Sequence, residues 1–234
     1  MSTRVTSTFY SASQLHRKSE EARENDKLNE SLILIDKAIE QYSKDENFEG
    51  VARALQSKVL SYKHLFLLTK EDKYRKLASE FANESLRIAQ EKNLGNVLSS
   101  SYFRIAEIAN LFQDYNKAEE NFGKALELYT GTNAEKGDYI YHWGEAIFNS
   151  GNQEKGKETM LKGLSEIQAN RNDVDPFLIH VWESGCLLRL AKAYKDAPKQ
   201  SREFIKQAKK IIGSDKKLVI RKRQLREMIK ETFS

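Results

Sequence analysis

The stretch with the best claim to chemistry is Gly151-Asn152-Gln153-Glu154-Lys155-Gly156-Lys157. A phosphate-binding loop needs two spaced glycines, a lysine and then a hydroxyl. The backbone N–H groups cradle the phosphates, the lysine reaches them, and Ser or Thr holds magnesium. Here Glu158 occupies the hydroxyl position, and no strand pattern precedes the glycines. The four histidines are His16, His64, His142 and His180. None has a second His or Cys three or four residues away, the spacing that sets two metal ligands on one helix face. Cys186 is the sole cysteine and has no evident base beside it, so it reads as a structural thiol. The carboxylates are spread along every segment, as on solvated faces. These residues predict no catalysis, no cofactor and no metal.

What remains to be explained is the scaffold that carries them. The chain has 234 residues, with two prolines, Pro176 and Pro198, and eleven glycines. Scarce Pro and Gly with abundant Ala, Leu, Glu, Lys and Arg is a helical composition, and no alternating run argues for a strand. The apolar share is 39% and the charged share 31%, which suits a thin stack with much surface per residue. The net charge is +5, and residues 214–234 hold seven basic against three acidic residues. One cysteine excludes an internal disulfide. The polar start, Met1 to Tyr10, lacks a signal core, and no segment reaches the roughly 18 apolar residues of a membrane span. A cytoplasmic protein with no membrane partner is expected.

Repetition is the clearest feature. From Tyr102 the chain runs through Ile105, Ala106 and Ala109, then a short turn, Gln113-Asp114-Tyr115, then Ala118, Phe122 and Ala125. This is a helix hairpin burying one stripe per helix, with small residues where the two approach closely. Thirty-eight residues on, Gly144, Gly156, Met160 and Gly163 repeat the pattern. Backward shifts of 40 and then 47 residues give Ala78/Ala82/Ser85 and Ser31/Ile35/Ala38. A forward shift of 45 from the glycine copy gives Ser201/Ile205/Ala208. The matching first helices carry Leu15/Ser19/Ala22, Tyr62/Phe66/Thr69, Tyr102/Ala106/Ala109, Ile140/Gly144/Ile147 and Val181/Gly185/Leu188. In the fifth copy the small residues lie four positions further apart, so a longer connection is predicted there.

At these residues the chain resembles the tetratricopeptide repeat (TPR) family. Tyr102, Ile105, Ala106, Ala118, Phe122 and Ala125 match its large–Leu-Gly–aromatic–Ala–aromatic–Ala order, and Trp143-Gly144 matches with Trp for Leu. The closing Pro is absent from every copy, and the periods of 38 to 47 exceed the usual 34 or so. The resemblance implies an all-α, right-handed α-solenoid of about five helical hairpins, with repeats near 12–45, 48–92, 96–130, 134–170 and 175–213. A flexible segment over 1–11 would precede it. Residues 214–234 would form a basic capping helix, with Leu218, Leu225, Met228 and Ile229 on one face, since a stack needs an amphipathic end.

In this family the first helices line a concave groove. The resemblance therefore aligns His16, Lys63, Phe103, Tyr141 and Trp182 on that surface, with His64, Arg104 and His142 beside them and Glu107, Glu145 and Arg189 one turn on. The aromatics Phe103, Tyr141 and Trp182 would form a ladder for side chains of a bound peptide, or else pack between repeats. The Lys-then-Asn pair with which some family members hold a C-terminal carboxylate is missing. The expected function is a non-catalytic scaffold or adaptor that binds a protein or peptide in the groove. A peptide-sensing regulator is the alternative. Nucleic-acid association through the basic end is the weaker reading, because Leu225, Met228 and Ile229 give that helix a packing role.

Overall fold

The structure, a computed structural model, describes residues 10–233. Nine of the eleven residues of the expected flexible segment lie outside the described residues. Among the described residues eleven helices follow in order: α1 (Ala12–Glu24), α2 (Leu28–Lys44), α3 (Phe48–Thr69), α4 (Asp72–Glu91), α5 (Gly95–Leu111), α6 (Tyr115–Glu127), α7 (Asn133–Asn149), α8 (Gln153–Ala169), α9 (Pro176–Ala193), α10 (Pro198–Ser214) and α11 (Val219–Phe233).

Local chemistry sets the helix ends. Ser11 and Gln14 form a reciprocal capping box on α1, which satisfies two otherwise free N–H groups. Asn47, Asp114, Thr132 and Asp175 cap α3, α6, α7 and α9 through their side chains. Both prolines sit in the first turn of a helix, where no N–H is needed. Asp26, Glu46, Lys70, Asn93 and Gln113 reverse the chain at φ between 52° and 65°, and Gly151 does so at 109°.

Consecutive helices pair as α1/α2, α3/α4, α5/α6, α7/α8 and α9/α10, and each second helix also packs on the next first helix. The first helices α1, α3, α5, α7 and α9 touch one another in series. They form the inner layer of a right-handed α-solenoid, and α11 closes its end against α9 and α10. The buried stripes fall on the small residues: Ala38, Ala78, Ala106, Ala118, Ala125 and Ala208 are fully buried, with Phe122 between the two helices of its hairpin. Burying a phenylalanine side chain of this kind contributes roughly 2–3 kcal/mol.

Two phases differ from the sequence pattern. In the second hairpin α3 and α4 each gain about a turn around a two-residue link. Val59, not Phe66, therefore packs with Ala78 and Ala82, while Phe66 sits edge-on to Phe112 at 5.9 Å and Thr69 is exposed. In the fifth hairpin the link is longer, as expected, but only by one residue over the three-residue links of the first, third and fourth; the other extra residues lengthen the second half of α9. Its close contact is made by Ser201 Oγ donating to the Ala191 carbonyl at 2.9 Å. Gly185 serves another neighbour, described below.

Candidate partner-binding surface

The inner layer carries a row of charged and polar side chains that link neighbouring repeats. Lys63 on α3 donates to Glu107 on α5, and Arg104 Nη1 donates to the other Glu107 oxygen at 2.6 Å. Arg189 Nε on α9 donates to Glu145 Oε2 on α7 at 2.7 Å. Asn110 on α5 reaches the same oxygen at 3.4 Å, and Asn149 donates to Asn110 at 3.1 Å. At the start of the row, His16 shares a 2.8 Å hydrogen bond with Ser57. The row thus stitches α1 to α3, α3 to α5, α5 to α7 and α7 to α9.

Its electrostatics follow from burial and pairing. Burial works to raise Glu107, but Lys63 and Arg104 outweigh it and hold the carboxyl well below its usual range. Burial, aided by Arg189, keeps His142 neutral, far below the usual imidazole value. His64 is depressed likewise, by burial and then by Lys63 and Arg23. Asp138 is pushed up to about 7 by burial, with the Tyr141 hydroxyl, then Arg104 and Arg189 opposing.

The expected site residues divide into two sets. Lys63, Arg104, Glu145, Trp182 and Arg189 keep part of their surface open. His64, Phe103, Glu107, Tyr141 and His142 are buried. Phe103 stacks on Tyr139 with centroids 4.1 Å apart and meets Phe122 edge-on. Tyr141 stacks on His142 at 4.3 Å and lies under the Arg189 guanidinium. The aromatic row therefore packs between repeats, and only Trp182 of the three offers surface. The helix face was legible from spacing, but the cover supplied by the next repeat was not.

Three contributors escaped sequence reasoning. Asp138 lies one turn before His142 on the same helix face, 3.8 Å from it, a spacing that would have found it. Arg221 and Arg223 did not stand out from the rest of the basic end, yet they turn inward. Arg221 Nε donates to the Val181 carbonyl at 3.2 Å. A Cβ on Gly185 would sit 2.7 Å from Arg221 Nη2, so this glycine makes room for an arginine of α11. Arg223 pairs with Asp26 at 3.1 Å, tying the last helix to the first hairpin.

The other candidates have structural occupations. In the glycine run, Gly151 makes the turn. A Cβ on Gly156 would meet the Phe148 backbone N at 2.5 Å. Lys157 pairs with Glu154. Cys186 is buried against the Met160 carbonyl, and burial pushes its thiol well up. His180 bonds Asp215 at 3.0 Å. Among the described residues no His, Cys, Asp and Glu group is arranged to hold a metal ion, and no helix is long and apolar enough to cross a membrane.

No family model and no curated protein matches the chain. Solved structures do. BtubC (BKLC) from P. vanneervenii is 18% identical, covering 87% of this chain and 90% of that one, with a TM-score of 0.51. A single-substitution form of a Podosopora anserina protein of kinesin light chain type, with nearly identical TPR-like repeats, is 11% identical. It covers 86% of this chain and 93% of its own, with a TM-score of 0.56. A second structure of the Podosopora anserina protein covers 94% and 96% at 13% identity, with a TM-score of 0.53. Five stacked hairpins and these likenesses give one fold: the chain is a divergent TPR-like helical-repeat solenoid with long repeats.

Proposed function

We propose that the chain is a non-catalytic scaffold or adaptor that holds a peptide or partner protein against the inner layer of the solenoid. The observation that carries this reading is the charged row across α3, α5, α7 and α9. It presents Lys63, Arg104, Glu145 and Arg189, each partly open, beside the partly open Trp182. Opposite charges at fixed spacing along a rigid face supply register and specificity more than raw affinity, and an aromatic among them supplies an anchor. The nucleophile, acid–base and metal arrangements considered above have packing roles instead, so binding rather than turnover is the activity that fits.

Truncating Phe103 or Tyr141 does not test this, because an aromatic lost from a core costs about 3–5 kcal/mol. The suitable variant is Trp182→Ala with Glu145→Gln. Its control is an outer-surface variant, Ile33→Ser with Leu161→Ser, at residues that are exposed. Quantitative capture from native lysate should fall at least about tenfold for the inner variant alone, with circular dichroism unchanged. Equal capture by the inner variant, with loss in the outer one, would move the surface to the second helices and sink the proposal.

A further inference from the structure

We infer that the basic start of α11, with Arg23 of α1, His64 of α3 and Tyr141 of α7, forms a binding site for a phosphate group, built from Arg23, His64, Tyr141, Arg221 and Arg223. These residues come from four helices, and three of them hold buried polar atoms without a hydrogen-bond partner: Arg23 Nη1, His64 Nδ1 and Arg223 Nε. The Tyr141 hydroxyl makes no well-formed hydrogen bond either, though it faces the Asp138 carboxyl. Arg23 and His64 are each 8% exposed and Tyr141 is fully buried. Folded proteins pair about nine in ten such groups, so three donors left over together need a common explanation.

Two contacts and a shared field relate these groups. Arg223 is fixed at the end of α1 by Asp26. Arg221 and the Tyr141 hydroxyl both lie within about 3 Å of the same point, the position a Cβ on Gly185 would take. The charges of Arg23, Lys63, Arg221 and Arg223 all bear on His64.

The charge balance identifies the ligand. Glu24 takes the Nε edge of Arg23 at 3.1 Å, and Asp26 takes one edge of Arg223. Glu107 is shared between Lys63 and Arg104, and Arg221 donates to a carbonyl and to Gln224, both neutral. The one acceptor there short of a hydrogen bond is Asp26 Oδ1, which keeps its ion-pair contact with Arg223, so donors remain in excess. α11 also carries Arg221, Lys222 and Arg223 near its start and has no acidic residue in its first turn, while Asp215 before it is taken by His180. Cations at the positive end of a helix dipole are unfavourable unless an anion lies near. A carboxylate accepts in one plane. A tetrahedral phosphate accepts from several directions, as donors arriving from four helices require.

This inference does not depend on a partner protein, since it is tested on the purified full chain. Thermal unfolding is followed in inorganic phosphate, in O-phosphoserine, and in malonate, each against chloride at matched ionic strength. At a hundred times its dissociation constant a ligand of the folded state raises Tm by roughly 5–10 °C for a chain of this size. Phosphate should do so, and Arg23→Gln and Arg223→Gln should remove the response. Tyr141→Phe is the milder variant. It should weaken the phosphate response several-fold; Tm in chloride also registers its contact with Asp138, so the response to phosphate is the readout. A greater response to O-phosphoserine assigns the group to a phosphate ester, and a greater one to inorganic phosphate assigns it to the free ion. No response beyond chloride, an equal response to malonate, or a Tyr141→Phe variant that keeps its full phosphate response would each overturn the assignment.

Discussion

The fourth hairpin and the first two hairpins solve the same packing problem with different atoms. Between α7 and α8 the helices touch through backbone. A Cβ on Gly163 would lie 2.6 Å from the Tyr141 N and 2.7 Å from the Gly137 carbonyl, and Gly144 faces the Met160 N in the same way. In the first two hairpins serines stand at the equivalent positions and turn their hydroxyls into the contact. Ser19 Oγ donates to the Ser31 carbonyl at 2.8 Å, and Ser31 Oγ meets Ser61 Oγ at 2.9 Å. Ser85 Oγ donates to the Ala52 carbonyl at 3.0 Å, and Gln56 Nε2 donates to Ser101 Oγ at 3.0 Å and Ser85 Oγ at 3.3 Å. Glycine admits closer approach and tolerates no added volume. Serine keeps the helices slightly further apart and makes the contact depend on polarity. A small residue in a repeat pattern thus marks nearness without saying which property holds it.

The sharpest test of that difference is Gly163→Ala. Both obstructing atoms belong to backbone and cannot swing aside. Alanine gains about 1 kcal/mol of helix propensity, but forced separation of two packed helices costs more than the usual 1–3 kcal/mol of overpacking. We expect a net loss of about 3 kcal/mol by denaturant titration. A neutral result would mean that the helices slide freely past each other.

The same hairpin holds the buried Asp138, so its stability should depend on pH in a way the serine hairpins cannot share. A carboxyl raised to about 7 in the folded chain ionises in the unfolded chain near its ordinary value of 3.8. Its contribution is fully present below that value and is lost as pH rises towards 7. Asp138→Asn removes this loss. Measured against wild type, the variant should gain about 2 kcal/mol between pH 5 and pH 8. His64 and His142 act oppositely, favouring the fold as pH rises through the ordinary imidazole range, and they remain in both proteins, so the difference reports Asp138 together with its coupling to His142, 3.8 Å away. A flat difference would show that Tyr141 and His142 stabilise the carboxylate as well as they do the acid.

The pattern of small residues was legible because helical spacing of four and three puts successive residues on one face. That was enough to place Ala106, Ala118, Gly156 and Gly163 in helix contacts. Phase was lost at Phe66 and Thr69, because a two-residue link let α3 and α4 lengthen together without changing the spacing within either. Gly185 was read as another hairpin contact, and its partner proved to be Arg221, 36 residues on. That contact depends on where the solenoid brings α11, which no local pattern encodes. Phe103 and Tyr141 lie on the inner helices, but their burial depends on the fit of adjacent repeats, a distance set by many side chains at once.

On the serine side, Ser85→Ala removes little volume and breaks the polarity. The Ala52 carbonyl loses a donor, and Gln56 and Ser101 each lose a partner. A net cost of about 1–2 kcal/mol follows. A double-mutant cycle with Ser101→Ala should show coupling of about 0.5 kcal/mol or more, because the two hydroxyls share one network. Strict additivity would reduce the serines to small residues of no particular chemistry.

The smallest effect has the opposite sign and uses a glycine that neither hairpin type needs. Gly123 lies within α6, and a Cβ there would meet nothing within 4 Å. Its residue type therefore serves no close approach, and the helix bears the entropic cost of glycine without compensation. Gly123→Ala should stabilise the chain by about 0.5–1 kcal/mol, partly by restricting the unfolded state. Set beside Gly163→Ala, it makes one substitution at two helical glycines differ in sign. The difference rests on the backbone atoms 2.6 Å from one and absent from the other. If both variants lose stability, helix separation is not what distinguishes them, and the account of the fourth hairpin as a backbone contact fails with it.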